Sequence, residues 1–139
     1  MNEENSSYFK VALTSSIVVF AFNGEDLLTL IGRKPSEPFK GAPMLPTTWV
    51  KPEQSVEDAA SHVLLHSLGE SEHYLEQLNA FSKLYRMPQG RVVNIAMYSL
   101  VKHEIMARKP TENYSWVRTK DVPDLIYDHN QIFELAQER

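Results

Sequence analysis

Residues 45–70 read LPTTWVKPEQSVEDAASHVLLHSLGE, and the second half of that stretch has the grammar of a single helix. Ser55 is a residue type that accepts a hydrogen bond at a helix start, and Asp58 follows three places later, where the reciprocal acceptor of a capping box belongs. Val56, Ala59, Ala60, Val63, Leu64 and Leu68 recur at the spacing that lines up one helical face, and Gly69 supplies the residue on which helices close. His62 and His66 stand four apart on a neighbouring face, the spacing used for zinc on a helix. A structural zinc site needs more ligands than two. His73 and His129 would serve only if the fold carried them there, so no metal is expected.

Working outward, residues 1–7 are polar and acidic, and a disordered lead-in is expected over 1–8, followed by a single domain over 9–139. Residues 11–22 are rich in Val, Ile and Phe and predict a strand. Asn23-Gly24 is a hairpin signal, with 27–31 as the returning strand. Pro35, Pro38, Pro43 and Pro46 then exclude a helix or a central strand over 34–46, which predicts a long irregular loop. Residues 74–84 fit either helix or strand. The run RVVNIAMYSLV, 91–101, is apolar on both faces and predicts a central strand covered from both sides. Lys109-Pro110 breaks the chain, 114–117 predict a short strand, and Asp128 is expected to cap a last helix carrying Ile132, Phe133, Leu135 and Ala136. That helix reaches Arg139 with no stop signal, so the chain is expected to continue into a further domain. The order of elements predicts an α/β fold with a mixed sheet between helices.

The chain has 139 residues, 42% of them hydrophobic, and a formal net charge of −4. That balance disfavours direct binding of nucleic acid by these residues, because phosphate contact calls for a basic face. With no cysteine, disulfides, thiolate nucleophiles and Cys-ligated zinc are excluded. The longest apolar run, IVVFAF at 17–22, is too short to span a bilayer, and the N-terminus lacks the order of a signal peptide. A cytoplasmic location is expected.

Residues 45–70 also resemble a degraded Nudix box, a pattern of glycine, five residues, glutamate, seven residues, then Arg-Glu-aliphatic-x-Glu-Glu-x-Gly-aliphatic. Thr48 falls on the leading glycine and Gln54 on the first glutamate. His62 and Val63 fall on the arginine and the second glutamate. His66 and Ser67 take the paired glutamates, and Glu70 the closing aliphatic. Leu64 and Gly69 match. YLEQLNAF (74–81), GRVVNIAMYSLV (90–101) and WVRTKDVPDLIYDHNQIFELA (116–136) resemble one subgroup, the Nudix-related transcriptional regulators and their hydrolase relatives. The resemblance implies the Nudix fold, a homodimer, and a winged helix-turn-helix domain after Arg139 through which DNA would be bound. It further implies a ligand that is ADP-ribose or another phosphorylated sugar.

Family hydrolysis relies on box carboxylates holding Mg²⁺, a hard ion that wants oxygen ligands. Gln54, Val63, His66 and Ser67 supply no negative charge, and loss of a positioned base alone costs about 10²–10⁴-fold. No catalytic residue and no cofactor is therefore expected, Mg²⁺ being implied only if the chain hydrolyses. Glu53, one place from the first glutamate position, leaves open a hydrolase with a displaced metal site, and a purely structural or dimerisation module is the third reading. Binding a diphosphate without cleaving it needs cationic or N–H donors. Arg33, Lys51, Gln77 and Arg91, with His62 and His66 on the old catalytic face, are the expected ligand contacts; Trp49 and Tyr74 are expected to be buried core aromatics, with stacking on a base as the alternative.

Overall fold

A computed structural model describes residues 7–69 and 74–139. The expected lead-in falls mostly on residues 1–6, outside the described residues, and its end belongs to a 3₁₀ turn over Ser7–Phe9. His73 also lies outside them.

Seven strands form one mixed sheet: β1 (Ala12–Phe22), β2 (Leu27–Arg33), β3 (Pro43–Met44), β4 (Thr47–Trp49), β5 (Glu76–Phe81), β6 (Val92–Leu100) and β7 (Tyr114–Arg118). The central path runs β3-β2-β1-β6-β5, with β7 on β2 and β4 on β1. β1 and β6 are parallel from Ala12↔Val92 to Phe20↔Leu100, and every other pairing is antiparallel. Three helices accompany them: α1 (Val56–Leu68), α2 (His103–Met106) and α3 (His129–Gln137). The α/β expectation with a mixed sheet holds.

The period-2 geometry of β1 divides its side chains between two cores. Val18 and Phe20 join Leu78, Ile132, Phe133 and Ala136 under α3, with the Phe20 and Phe133 rings 6.2 Å apart. Ile17 and Val19 join Ala60, Val63, Leu64, Leu68 and Met97 under α1. The sheet is thus covered on both faces, which is why 91–101 reads apolar throughout. Helix α1 begins with the full capping box: Ser55 accepts from the Asp58 peptide N–H at 3.0 Å, and Asp58 accepts from that of Ser55 at 3.1 Å. Gly69 closes it in the left-handed region at φ 70°, a conformation that only glycine adopts freely.

Two expectations need correction. The loop at 34–46 holds a bridge, since Pro43 pairs with Arg33 and Met44 with Gly32. Proline is tolerated at such an edge because no ladder donor is required of it. Asp128 stands at the N-cap of α3 but makes no capping hydrogen bond. Its carboxylate is held instead by Arg86, which donates from Nε at 2.8 Å and from Nη2 at 2.5 Å. The undecided stretch 74–84 resolves as the edge strand β5.

Candidate functional site

The sheet forks at β1. Its first half pairs with β4 at Thr14, Ser15 and Ser16, and its last residues pair with β2 at Phe20, Ala21 and Phe22. Between the two partners the Ile17 N–H is satisfied by the Pro46 carbonyl at 2.9 Å. The fork leaves two neighbouring lobes that both draw on Pro35, Met44 and Thr47 for their lining.

The narrow lobe encloses about 160 Å³ between the end of β2, the residues around Pro46, helix α1 and the approach to β7. Arg33, His66, Glu112 and Asn113 supply its polar groups. Arg33 is braced, its Nη1 donating to the Gly41 carbonyl at 3.1 Å. Gly32 packs closely here, because an added Cβ would stand 3.0 Å from a ring carbon of Tyr114, which would have to give way. Burial pushes the Tyr114 hydroxyl above its ordinary pKa.

The wide lobe encloses about 230 Å³, with Trp49, Met87 and Tyr127 among its walls. Arg86 lines it with a side chain only 3% exposed, and its charge is matched by Asp128. Its Nη1 is buried without a partner. His129, 2% exposed, accepts the Leu45 peptide N–H on Nδ1 at 3.1 Å. That bond places the imidazole proton on Nε2. Burial first, and the Arg86 charge after it, lower the His129 pKa from 6.5 to about 4 against the opposing pull of Asp128, so the ring is neutral. Thr14 donates to Asn94 Oδ1 at 2.8 Å, and the Asn94 amide nitrogen is a second buried donor without a partner.

The structure brings two of the expected contacts, Arg33 and His66, into one lobe. His62 is exposed beside His66, their rings stacked 6.3 Å apart, but it lines neither lobe. Lys51 is exposed, with its N–H held by the Gln54 side chain at 3.0 Å. Gln77 sits exposed on β5, opposite Met97. Arg91 donates to the Ser82 carbonyl at 2.8 Å and braces the connection from β5 to β6. Trp49 lines the wide lobe, whereas the Tyr74 hydroxyl is bound to Glu76 away from the cleft. Arg86, Thr14, Glu112, Tyr127 and the cleft role of His129 went unread in the sequence. Nothing local marks Arg86, which lies in an irregular stretch 42 residues from its partner.

The box positions do not fit Mg²⁺. Val63 is in the core, and Ser67 is fully buried with its hydroxyl donating to the Val63 carbonyl at 2.7 Å. Gln54 is neutral and engaged with Lys51. Among the described residues no group of three His, Cys, Asp or Glu is placed to hold a metal ion. Nor, among them, is any helix long and apolar enough to cross a membrane.

This architecture is the Nudix fold. No family model matches the chain. The Nudix domain of Shewanella oneidensis NrtR, crystallised with ADP-ribose, superposes with a TM-score of 0.82 at 23% identity, covering 100% of this chain and 99% of that one. NrtR from the same organism, solved with a 27mer DNA, gives 0.81 at 24% identity over 91% of this chain. This chain spans 61% of that regulator's length. A curated ADP-ribose pyrophosphatase from Methanocaldococcus jannaschii is 23% identical over 127 residues, 91% of this chain and 75% of that enzyme.

Proposed function

We propose that this chain is the ligand-sensing domain of a bacterial Nudix-type transcriptional regulator, and that it binds ADP-ribose or a related phosphorylated metabolite without cleaving it. One observation carries the reading: of the four positions where the Nudix box has metal-binding glutamates, two are buried as Val63 and Ser67 and none is a carboxylate. The cleft is retained where its catalytic charge is gone. Arg33 and His66 meet the diphosphate in the narrow lobe. The likeness to a Nudix domain crystallised with ADP-ribose supports the ligand. The DNA-bound relative, longer than this chain, supports an output through DNA; a winged helix-turn-helix domain after Arg139, a homodimer and a cytoplasmic location complete the proposal.

A second reading is favoured by Glu112, an exposed residue that lines the narrow lobe with His66. A hydrolase would have to use it, as the curated pyrophosphatase relative invites. Thermal unfolding with ADP-ribose, with and without Mg²⁺, separates these readings. The sensor is stabilised in both cases, by about 2.7 kcal/mol at 100 times the dissociation constant, and the ligand is recovered intact. An absence of stabilisation in both cases contradicts sensing of ADP-ribose.

A further inference from the structure

Helix α3 covers only part of the sheet face on which it packs. Its Ile132, Phe133 and Ala136 lie against Val18 and Phe20, and the helix ends at Gln137. The pleat returns a side chain to that face every second residue along each strand. Phe22 follows Phe20 on β1, and Leu27 stands directly across from Phe22 on β2. On β6, Tyr98 and Leu100 pair with Val18 and Phe20. On the far side, Glu76 of β5 stands across from Tyr98, with Tyr74 two residues before it. Leu27, Phe22, Leu100 and Tyr74 therefore form a row across four neighbouring strands, and all four are exposed, Phe22 by 57%. A contiguous apolar row rimmed by charge marks a contact surface.

The two ends of the row differ in shape and in charge. At the β5 end, Phe20, Tyr74, Tyr98, Leu100, Ala136 and Arg139 line an open cavity of about 330 Å³, where about 150 Å³ suffices for a benzene ring. Arg139 supplies the charge at its mouth. Glu76 is near enough to feel that charge, but it already accepts the hydroxyls of Tyr74 and Tyr98. Arg139 is in no ion pair among the described residues. At the β2 end, Phe22 and Leu27 project beside the turn at 23–26. Asn23 Oδ1 holds that turn by accepting the Glu25 and Asp26 N–H groups at 2.9 and 2.7 Å. Neither the Glu25 nor the Asp26 carboxylate is in an ion pair among the described residues. One end is an apolar knob flanked by acids, and the other is a hollow with a base at its mouth.

We propose that this row is the interface of a homodimer, in which the acidic turn of each copy docks on the cavity of the other. A two-fold axis along the strands, between β1 and β6, makes that contact reciprocal and closed. Phe22 of one copy then enters the hollow beside Tyr98 of the other, and Asp26 meets Arg139. The inference rests on the homodimer of the proposed function and names its surface. Thr14, which lines the wide lobe, lies near the opposite end of β1, so this interface leaves the cleft open to ligand.

Sedimentation velocity of the 139-residue chain over a concentration series tests the interface. The wild type is expected to show a monomer–dimer equilibrium. Phe22→Asp, at an exposed ring, is expected to raise the dissociation constant about thirtyfold or more, the scale of a central apolar contact, with circular dichroism unchanged. Leu100→Asp, exposed at the middle of the row, is expected to do the same. Asp26→Arg and Arg139→Asp are each expected to weaken the dimer about fivefold. The chain carrying both is expected to recover it, since each reversed charge again meets its opposite. A wild-type dimer that persists unchanged in Phe22→Asp and Leu100→Asp lies on another surface, which overturns this inference and leaves the homodimer standing. A wild type that stays monomeric at every concentration overturns both.

Discussion

Arg86, Asp128 and His129 form a buried polar cluster at the wall of the wide lobe. The Arg86 guanidinium is 3% exposed and Asp128 is 14% exposed, so neither charge is well hydrated. Removing one partner of such a pair strands the other, which costs about 3–5 kcal/mol. Asp128→Ala is therefore expected to lower the urea unfolding free energy by about 3 kcal/mol or more, and a loss below about 1 kcal/mol would refute this account of the pair. His129 gives a pH signature. Its folded pKa is depressed to about 4 from 6.5, so above pH 6.5 both states are neutral and the full stability is present. Between 6.5 and about 4 the unfolded chain takes up a proton that the folded chain refuses, and stability falls with pH. The loss amounts to about 3 kcal/mol across that window, and His129→Gln is expected to remove that part of the slope. An identical slope in wild type and variant would show the ring to be charged or solvated. At this scale the sequence was least informative. The place of Arg33 and His66 in the cleft was readable from the strand and helix ends they stand beside. Arg86 was not, because its partner is supplied by the fold.

Among the elements, legibility followed length and burial. β1 and β6 are long and covered on both faces, so their apolar runs marked them. Helix α1 announced itself by its capping box and closing glycine. β3 and β4, of two and three residues, are too short to leave a periodic pattern. β5 was ambiguous because it is an edge strand in which Leu78 alone is fully buried. Asp128 was assigned the right position and the wrong task, since its carboxylate turns to Arg86 rather than to the helix N–H groups. The capping box makes a separable prediction. Ser55→Ala is expected to cost about 1 kcal/mol in chemical denaturation while leaving ligand affinity unchanged, because Ser55 lines neither lobe. A change in affinity larger than the change in stability would mean that α1 moves when the ligand binds.

On the scale of the whole molecule, the fork in the sheet and the two covering helices build the Nudix fold. Helix α1 carries the Leu64, Gly69 and apolar face of the box pattern it resembles, with no carboxylate at the four glutamate positions. Scaffold positions stay legible in such a helix because packing constrains them. Ligand positions stay legible only where charge or shape is still required. The order of β-hairpin, helix, central strand and last helix could be read from one chain. The division of the cleft into a charged lobe and a lobe of unpartnered donors could not, since it depends on residues from β1, the β5–β6 connection and α3 meeting at one place. The central claim is binding without cleavage, and ³¹P NMR of ADP-ribose mixed with the protein and Mg²⁺ tests both halves in one sample. The account requires the two diphosphate resonances to shift or broaden as protein is added and then to persist unchanged over hours. Their replacement by the phosphomonoester signals of AMP and ribose 5-phosphate would contradict it.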